Sequence, residues 1–185
     1  FGFQPTTISL AKALSSAYLP ISAVLLPEFM HDAFVSRSDD LGNFGHGFTY
    51  SGHPVCAAVA LRNLEIMEEM DLYTHAANVG QVLQQRLREL ADHPLVGEVR
   101  GAGLIAAIEL VKQKQPRTPF DLKDGVGAYC AAACHEAGVI LRNLGDSVAF
   151  CPPLVISEEQ IDELVGKFTI GLDATLDWAS KNRLI

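Results

Sequence analysis

Lys12 is the first residue whose type and position could support covalent chemistry. It follows a short β-rich segment, residues 6–11, which predicts a strand that ends at the lysine. A buried strand end would disfavour the ammonium form and free the amine lone pair for attack on a carbonyl carbon. The residues alone leave a second interpretation open, in which the side chain extends to water and does no chemistry.

Glycines, hydroxyl groups and a helix start come together in residues 45–54. The glycines let a backbone approach a ligand closely, and Pro54 is suited to the first position of a helix. Free N–H groups at a helix start bind phosphate, although the same pattern is typical of a tight loop with an ordinary cap. His46 and His53 lack a third ligand at a suitable spacing, so we expect no metal site.

Arg142 ends a short apolar run beside a turn. A guanidinium on a rigid strand suits two-point binding of a carboxylate, and a surface arginine is the alternative. Arg100, before Gly101, has the same two interpretations, with a structural ion pair as the second. No histidine is tied by a motif to any cysteine, so the cysteines are interpreted as small core residues: Cys56, Cys130, Cys134 and Cys151.

The elements that carry these side chains follow from the spacing of apolar residues. The pattern predicts strands at 6–11, 21–26, 96–100, 104–111, 139–142 and 147–150. It predicts helices at 29–35, 54–70, 72–91 and about 126–137, and a last helix opened by a capping box of Ser157 and Gln160. Residues 36–47 and 112–123 are predicted to be loops. The helix over 54–70 is apolar on more than one face, which predicts that it is mostly buried.

Composition restricts the class of protein. The 185 residues are 49% hydrophobic and 19% charged, with a net charge of −8, which fits one folded domain or parts of two. The acidic balance argues against nucleic-acid binding, and no apolar run approaches the ~20 residues that cross a bilayer. Four cysteines without a short paired spacing predict a reduced, cytoplasmic protein. The sequence opens without Met or a signal segment, so we expect it to be the C-terminal portion of a longer chain.

Five segments form an ordered set along the chain. They are TISLAKAL at 7–14, YLPI at 18–21, GFTYSGHP at 47–54, VRGAGL at 99–104, and Leu141-Arg142 together with PPL at 152–154. This set resembles the class III aminotransferases, which are pyridoxal-phosphate enzymes of fold type I, and most of all their ω-amino acid:pyruvate branch. The resemblance extends over the whole sequence.

The resemblance implies an α/β fold in three parts. Residues 1–71 would be the C-terminal part of the cofactor-binding large domain, residues 72–94 a connecting helix, and residues 95–185 the small α/β domain. The implied partners are a second copy of the chain, as a homodimer or tetramer, and small amine and keto acid substrates.

The resemblance also implies roles for single residues. Lys12 resembles the lysine that forms a Schiff base with pyridoxal phosphate and later moves a proton. Phe48 and Thr49 resemble the pair that holds the phosphate of the other subunit's cofactor. Arg142 resembles the arginine that binds a substrate carboxylate and swings aside for amines without one. The implied reaction moves an amino group from an ω-amino acid or amine to pyruvate.

Two alternatives stay open. The first is a related enzyme of the same family, a decarboxylase or an aminomutase. The second is a truncated remnant that acts as an interaction piece, because the family's cofactor-pairing acid, stacking aromatic and phosphate-side glycine turn would precede Phe1. We therefore expect residues 1–185 alone to be inactive. Ala13, Ala17 and Ser22 stand where the family often has glycine, which predicts a stiffer turn after the lysine.

Overall fold

A computed structural model describes residues 2–185, and the chain divides after Asp71 into two compact units. The first unit opens with two short antiparallel strands, β1 (Ile8–Leu10) and β2 (Ala23–Leu25), paired so that Ser9 lies opposite Val24. A single 3₁₀ turn, Lys12–Leu14, follows β1. Two helices complete the unit, α1 (Glu28–Leu41) and α2 (Pro54–Glu69). Pro54 opens α2, as the sequence predicts.

Helix α1 is longer than predicted. The predicted loop over 36–47 begins only after Leu41, because the polar residues that suggested a loop continue the exposed helix. Arg37 and Asp40 form an ion pair at 3.5 Å across one helical turn, which is compatible with a solvated face. The helix ends at Gly42, whose φ of +77° is a conformation that glycine adopts without a Cβ clash.

The apolar residues of the first unit are largely exposed. Within the described residues of this unit, Ala60 is the one buried hydrophobic side chain, and α1 buries none. The prediction that α2 is mostly buried is therefore wrong for this chain, and the strand before Lys12 is exposed along its length. The sequence pattern correctly marks apolar faces, but residues 2–185 do not cover them.

The second unit is a four-stranded antiparallel sheet with helices packed against it. Helix α3 (Leu72–Arg88) leads into β3 (Val96–Ala102) and β4 (Ile105–Leu110), and a small ribbon of β5 (Gln113–Lys114) and β6 (Arg117–Thr118) follows. Helix α4 (Val126–Glu136) precedes the hairpin of β7 (Arg142–Leu144) and β8 (Ser147–Phe150), and α5 (Glu158–Lys181) ends the unit. The strand order in the sheet is β3-β4-β8-β7.

The core of the second unit lies between this sheet and the helices. Its fully buried side chains come from every layer: Leu83 and Leu87 of α3, Ile108 of β4, Val148 and Phe150 of β8, and Ile161, Phe168 and Leu172 of α5. Gly171 lets α5 approach α4 closely, because a Cβ there would collide with Cys134. The predicted capping box is confirmed, with Ser157 Oγ accepting from the Gln160 N–H and the Gln160 side chain accepting from the Ser157 N–H.

The larger differences from the prediction in the second unit are a ribbon in a predicted loop and a shift of the last hairpin. The ribbon of β5 and β6 lies within residues 112–123, which the sequence pattern presents as a loop. The first strand of the last hairpin starts later than the predicted 139–142. Residues 139–141 link α4 to the sheet, and β7 starts at Arg142, opposite Ala149. The hairpin turn is therefore Gly145-Asp146, with Gly145 at a φ of +61°. No helix within residues 2–185 combines the length and apolar composition needed to cross a bilayer.

Candidate active site

Lys12 lies two residues beyond β1, as the first residue of the 3₁₀ turn. Its φ is +53°, a left-handed conformation that is costly for a residue with a Cβ. The side chain is exposed, and within residues 2–185 its amine forms neither a hydrogen bond nor an ion pair. The expected burial of this lysine is not found, since β1 itself is exposed in this chain. What the structure provides is an unpaired primary amine on a tightly turned backbone.

The turn after Lys12 is held by short-range hydrogen bonds. The carbonyl of Lys12 accepts from the N–H groups of Ser15 and Ala17, each at 3.3 Å. The Ser15 hydroxyl is buried and donates to the carbonyl of Leu19 at 2.6 Å. The chain therefore turns directly after the lysine, and these hydrogen bonds hold the backbone from which the Lys12 side chain projects.

Phe48 and Thr49 lie in a compact loop just before α2. The N–H of Phe48 donates to Ser51 Oγ at 2.8 Å, and the N–H of Ser51 donates back to the Phe48 carbonyl at 2.9 Å. This reciprocal pair leaves the Phe48 ring 78% exposed. Thr49 is exposed as well, and within residues 2–185 neither its hydroxyl nor its N–H has a partner. The loop thus presents unused donors on its outer side.

An open pocket of about 610 Å³ lies beside this loop. One wall comes from Pro20, Ile21 and Ser22, and the other from Phe48, residues 50–53, Cys56 and Ala57. The structure thus brings the segment that follows the Lys12 turn next to the loop before α2. Lys12 and Thr49 themselves do not line this pocket.

The start of α2 has unused polar groups. His53 is the N-cap residue, but its side chain does not cap the helix, and its Nδ1 is buried without a hydrogen-bond partner. Helix starts with free N–H groups favour anions, so the interpretation of residues 45–54 as a phosphate-binding segment stays available. The structure shows no group of three or more metal-ligating side chains within residues 2–185.

Arg142 belongs to the second unit, where it is the exposed first residue of β7. Within the described part of the chain it makes no ion pair, so its guanidinium is available to a carboxylate. The hairpin that carries it is anchored at its turn, since Asp146 Oδ1 accepts from the Gly127 N–H at 3.0 Å. A Cβ on Gly127 would collide with the Gly145 carbonyl, so α4 fits closely under the turn.

Arg100 has a structural role. Its guanidinium lies 2.8 Å from the Glu109 carboxylate on β4 and 3.1 Å from the Ser147 hydroxyl on β8. These contacts tie three neighbouring strands together on one face of the sheet. The ion-pair interpretation therefore fits this residue better than substrate binding does.

The cysteines follow the prediction only in part. Cys130 and Cys134 are fully buried on α4, whereas Cys56 is half-buried and Cys151 is exposed. The neighbouring Cys130 sulfur, together with burial, raises the pKa of the Cys134 thiol. A thiol with a raised pKa stays protonated and is a poor nucleophile.

The structure also shows polar contacts that the motifs do not reveal. Ser51 holds the Phe48 loop, and Asn63 of α2 contacts the turn after Lys12. Ser51 lies inside a recognised motif, but nothing in the motif indicates which backbone group it binds. Asn63 looks in sequence like an ordinary polar position on a helix, and only the fold brings it to residues about 50 positions earlier.

The class-III aminotransferase profile matches residues 1–171. Among curated relatives, γ-aminobutyrate transaminase 3 of tomato (chloroplastic) is 42% identical over 175 residues, which cover 95% of this chain and 34% of that protein. Vanillin aminotransferase of Capsicum annuum is 42% identical over 165 residues, covering 89% and 36% respectively. The chain thus spans about a third of the length of these relatives.

Solved structures give the same result for the fold. The ω-transaminase of Pseudomonas jessenii in complex with PMP aligns with a TM-score of 0.93 at 47% identity, covering 97% of this chain and 40% of that one. A transaminase solved with L-Ala aligns with a TM-score of 0.90 at 49% identity, covering 94% and 41%. The fold is therefore the pyridoxal-phosphate fold type I that the resemblance implies.

Enzymes of this class use pyridoxal phosphate, and the residues present can be tested for their fit to it. Two observations agree with such a group: Lys12 has a primary amine without a partner in residues 2–185, and Thr49 has a hydroxyl and an N–H that are equally free. An aldehyde-bearing phosphate ester requires an amine and phosphate-binding donors of these kinds. On its sequence, its fold and these side chains, the chain belongs to the class-III aminotransferases.

Proposed function

We propose that the full-length protein transfers an amino group from an ω-amino acid or amine to pyruvate with pyridoxal phosphate as its cofactor. The observation that carries the proposal is the unpaired amine of Lys12 at the start of a constrained turn. The relatives named as γ-aminobutyrate and vanillin aminotransferases and as ω-transaminases support this substrate range.

Lys12 would be the catalytic residue. Bound pyridoxal phosphate supplies an electron sink that stabilises negative charge on the substrate carbon. Nζ of Lys12 would hold the cofactor and, once a substrate amine has taken its place, would carry the proton from the substrate carbon to the cofactor carbon. This role requires an amine without a permanent ion pair.

Phe48 and Thr49 would bind the phosphate group of a cofactor in a second copy of the chain. The Thr49 hydroxyl and N–H are exposed donors, and the reciprocal hydrogen bonds between Phe48 and Ser51 hold them in a fixed loop. An exposed donor set of this kind suits a ligand held by a partner subunit. We therefore propose a homodimer, alone or paired into a tetramer, as the active form.

Arg142 would bind a substrate carboxylate through its free guanidinium. In this proposal residues 1–71 contribute to the cofactor-binding large domain, and residues 72–185 contain the connecting helix and the small domain. The four cysteines, none of them in a disulfide, favour a cytoplasmic location within this proposal.

Borohydride reduction of the full-length protein loaded with pyridoxal phosphate tests the proposal. Reduction fixes the cofactor to its lysine, and mass mapping should find it on the peptide that contains Lys12. A Lys12→Ala variant should show no label there. Absence of label from Lys12 in the unmodified protein would overturn the proposal.

Product analysis separates amino transfer from related chemistry. β-Alanine, γ-aminobutyrate, an aryl amine and a dialkyl amino acid are offered with pyruvate or 2-oxoglutarate as acceptor. Alanine formed in equal amount to the aldehyde or keto product, without release of carbon dioxide, supports the proposed reaction. Release of carbon dioxide, with or without alanine, indicates a decarboxylase, and an isomeric amine without a keto product indicates an aminomutase; either result contradicts the proposal.

A further inference from the structure

The turn that follows Lys12 is strained at three residues. Lys12, Ser16 and Ala17 have φ values of +53°, +49° and +62°, and none of them is glycine. Each such residue costs about 1–2 kcal/mol relative to an ordinary conformation. Strained backbone of this kind persists only where surrounding contacts hold it in place.

Asn63 of α2 supplies such contacts. Its Nδ2 donates to the carbonyls of Ala13 at 2.9 Å and Leu14 at 3.3 Å. Its Oδ1 accepts from the Ser16 hydroxyl at 2.7 Å. One half-buried amide side chain thus binds three residues of the turn, Ala13, Leu14 and Ser16, using both its donor and its acceptor atoms.

The backbone hydrogen bonds of the turn are 3.0–3.3 Å long, which is longer than two of the three Asn63 contacts. The N–H groups of Ser15 and Ala17 share the Lys12 carbonyl, each at 3.3 Å, near the long end of the range for such bonds. The turn is also a single 3₁₀ turn, which has poorer hydrogen-bond geometry than an α-helix. Within residues 2–185, the side chain of Asn63 makes the hydrogen bonds that link this turn to α2.

Helix α2 is also continuous with the loop that carries Phe48 and Thr49, the second part of the candidate site. It begins at Pro54, directly after the loop that presents Phe48 and Thr49. Asn63 lies nine residues further along, about 14 Å at the rise of an α-helix. The same rigid element thus carries the phosphate-binding loop at its start and the contact to the lysine turn in its interior.

We propose that Asn63 is a positioning residue for Lys12, whose amide clamps the turn over residues 13–16 so that the lysine amine meets the cofactor in one orientation. The inference rests on the proposed function, since it gives Asn63 a role only if Lys12 binds the cofactor. Asn63 itself touches no reacting atom; it acts through the backbone that carries Lys12.

Two variants of the full-length protein test this role. Asn63→Ala removes all three contacts, and Asn63→Asp keeps the size and the acceptor for Ser16 but cannot donate to the two carbonyls. Arg62→Ala is the matched control, because Arg62 is the adjacent residue of α2 and, in the described part of the chain, binds Glu65 and Glu69 of the same helix alone. If Asn63→Ala does not accumulate as folded protein, the near-isosteric Asp variant carries the test.

We expect kcat to fall about 10–100-fold in both Asn63 variants while KM for the amine changes little, because misplacement of the lysine affects the proton transfer more than substrate binding. The midpoint of the pH titration of the lysine-bound cofactor's visible absorbance should shift as well. In the cofactor-free protein, the amides of Ser15 and Ala17 should exchange with deuterium about tenfold faster. Arg62→Ala should match the unmodified protein in all three measurements.

The result that overturns the inference is distinct from failure of the proposed function. If the unmodified protein carries the cofactor on Lys12 and transfers amino groups, but the Asn63 variants keep its kcat, titration midpoint and amide exchange, Asn63 has no positioning role. If the unmodified protein carries no cofactor on Lys12, the proposed function itself fails.

Discussion

The imidazole of His93 lies 3.3 Å from the carboxylate of Asp173, while its other nitrogen, Nδ1, accepts a hydrogen bond from the N–H of Leu95 at 3.2 Å. Accepting at Nδ1 requires that nitrogen to be without a proton, so the folded unit holds the neutral ring. Burial lowers the pKa of His93, Lys114 acts in the same direction through its charge, and Asp173 opposes both.

This arrangement predicts that the second unit loses stability in mild acid. The unfolded chain binds a proton on His93 near an ordinary pKa of about 6.5, whereas the folded chain resists protonation to lower pH. The unfolding temperature should therefore fall as the pH drops below about 6.5. His93→Gln should weaken this dependence, and His135→Gln, at an exposed position of α4, should leave it unchanged. Equal pH profiles for the unmodified protein and His93→Gln would contradict the prediction.

Ala17→Gly should stabilise the turn after Lys12. At a φ of +62° alanine pays a steric cost that glycine avoids, and the expected net gain is about 0.5–1 kcal/mol after the extra chain entropy of glycine. Amide exchange of residues 15–18 measures this gain as slower exchange. Ala13→Gly is the control, because Ala13 is not among the residues with positive φ, and glycine there should speed exchange instead. Faster exchange in Ala17→Gly would show that its conformation carries no strain.

Gly127→Ala should destabilise the hairpin that begins at Arg142. The added Cβ would meet the Gly145 carbonyl, and overpacking of this kind costs about 1–3 kcal/mol. Gly166→Ala on α5 is the matched substitution, because no atom lies within 4 Å of its added Cβ and alanine favours the helix by about 1 kcal/mol. Thermal unfolding should therefore move in opposite directions for the two variants. A stable Gly127→Ala would show that α4 does not need this close approach.

Arg142→Ala should raise KM for amino donors that carry a carboxylate by about 10–100-fold, the equivalent of one lost charged hydrogen bond. Donors without a carboxylate should keep their KM. Arg100→Ala is the control: its partner is Glu109, and an exposed ion pair contributes less than about 1 kcal/mol, so both donor classes should be unaffected. Initial-rate measurements over a range of donor concentrations separate these cases, and an equal rise for both donor classes would contradict the role of Arg142.

Local signals in the sequence predict helix starts well. Pro54 and the pair of Ser157 and Gln160 act on neighbouring backbone groups, so their spacing is sufficient to place α2 and α5. The predicted end of α1 is too early, because the polar composition of residues 36–41 is compatible both with a loop and with an exposed helix. Only Gly42 marks the end, and the sequence pattern contains several glycines that could do so.

The sequence predicts which residues belong to the candidate site, but it does not predict their burial or their contacts. Lys12, Phe48, Thr49 and Arg142 follow from ordered motifs, and their roles stay predictions. The apolar strand before Lys12 predicts that the lysine is buried, but such a strand is buried only where other residues cover it. Residues 2–185 leave it exposed. The contact of Asn63 with the Lys12 turn depends on the tertiary fold, which no local pattern encodes.

The uneven distribution of buried side chains has a practical consequence for experiments on this chain. Among residues 2–185, the buried hydrophobic side chains other than Ala60 lie at or after Leu72, whereas Lys12 and Thr49 lie before it. A calorimetric scan of these residues would thus register mainly the melting of 72–185. A structural change around Lys12 would go undetected in such a scan and would be seen only by chemical labelling or amide exchange.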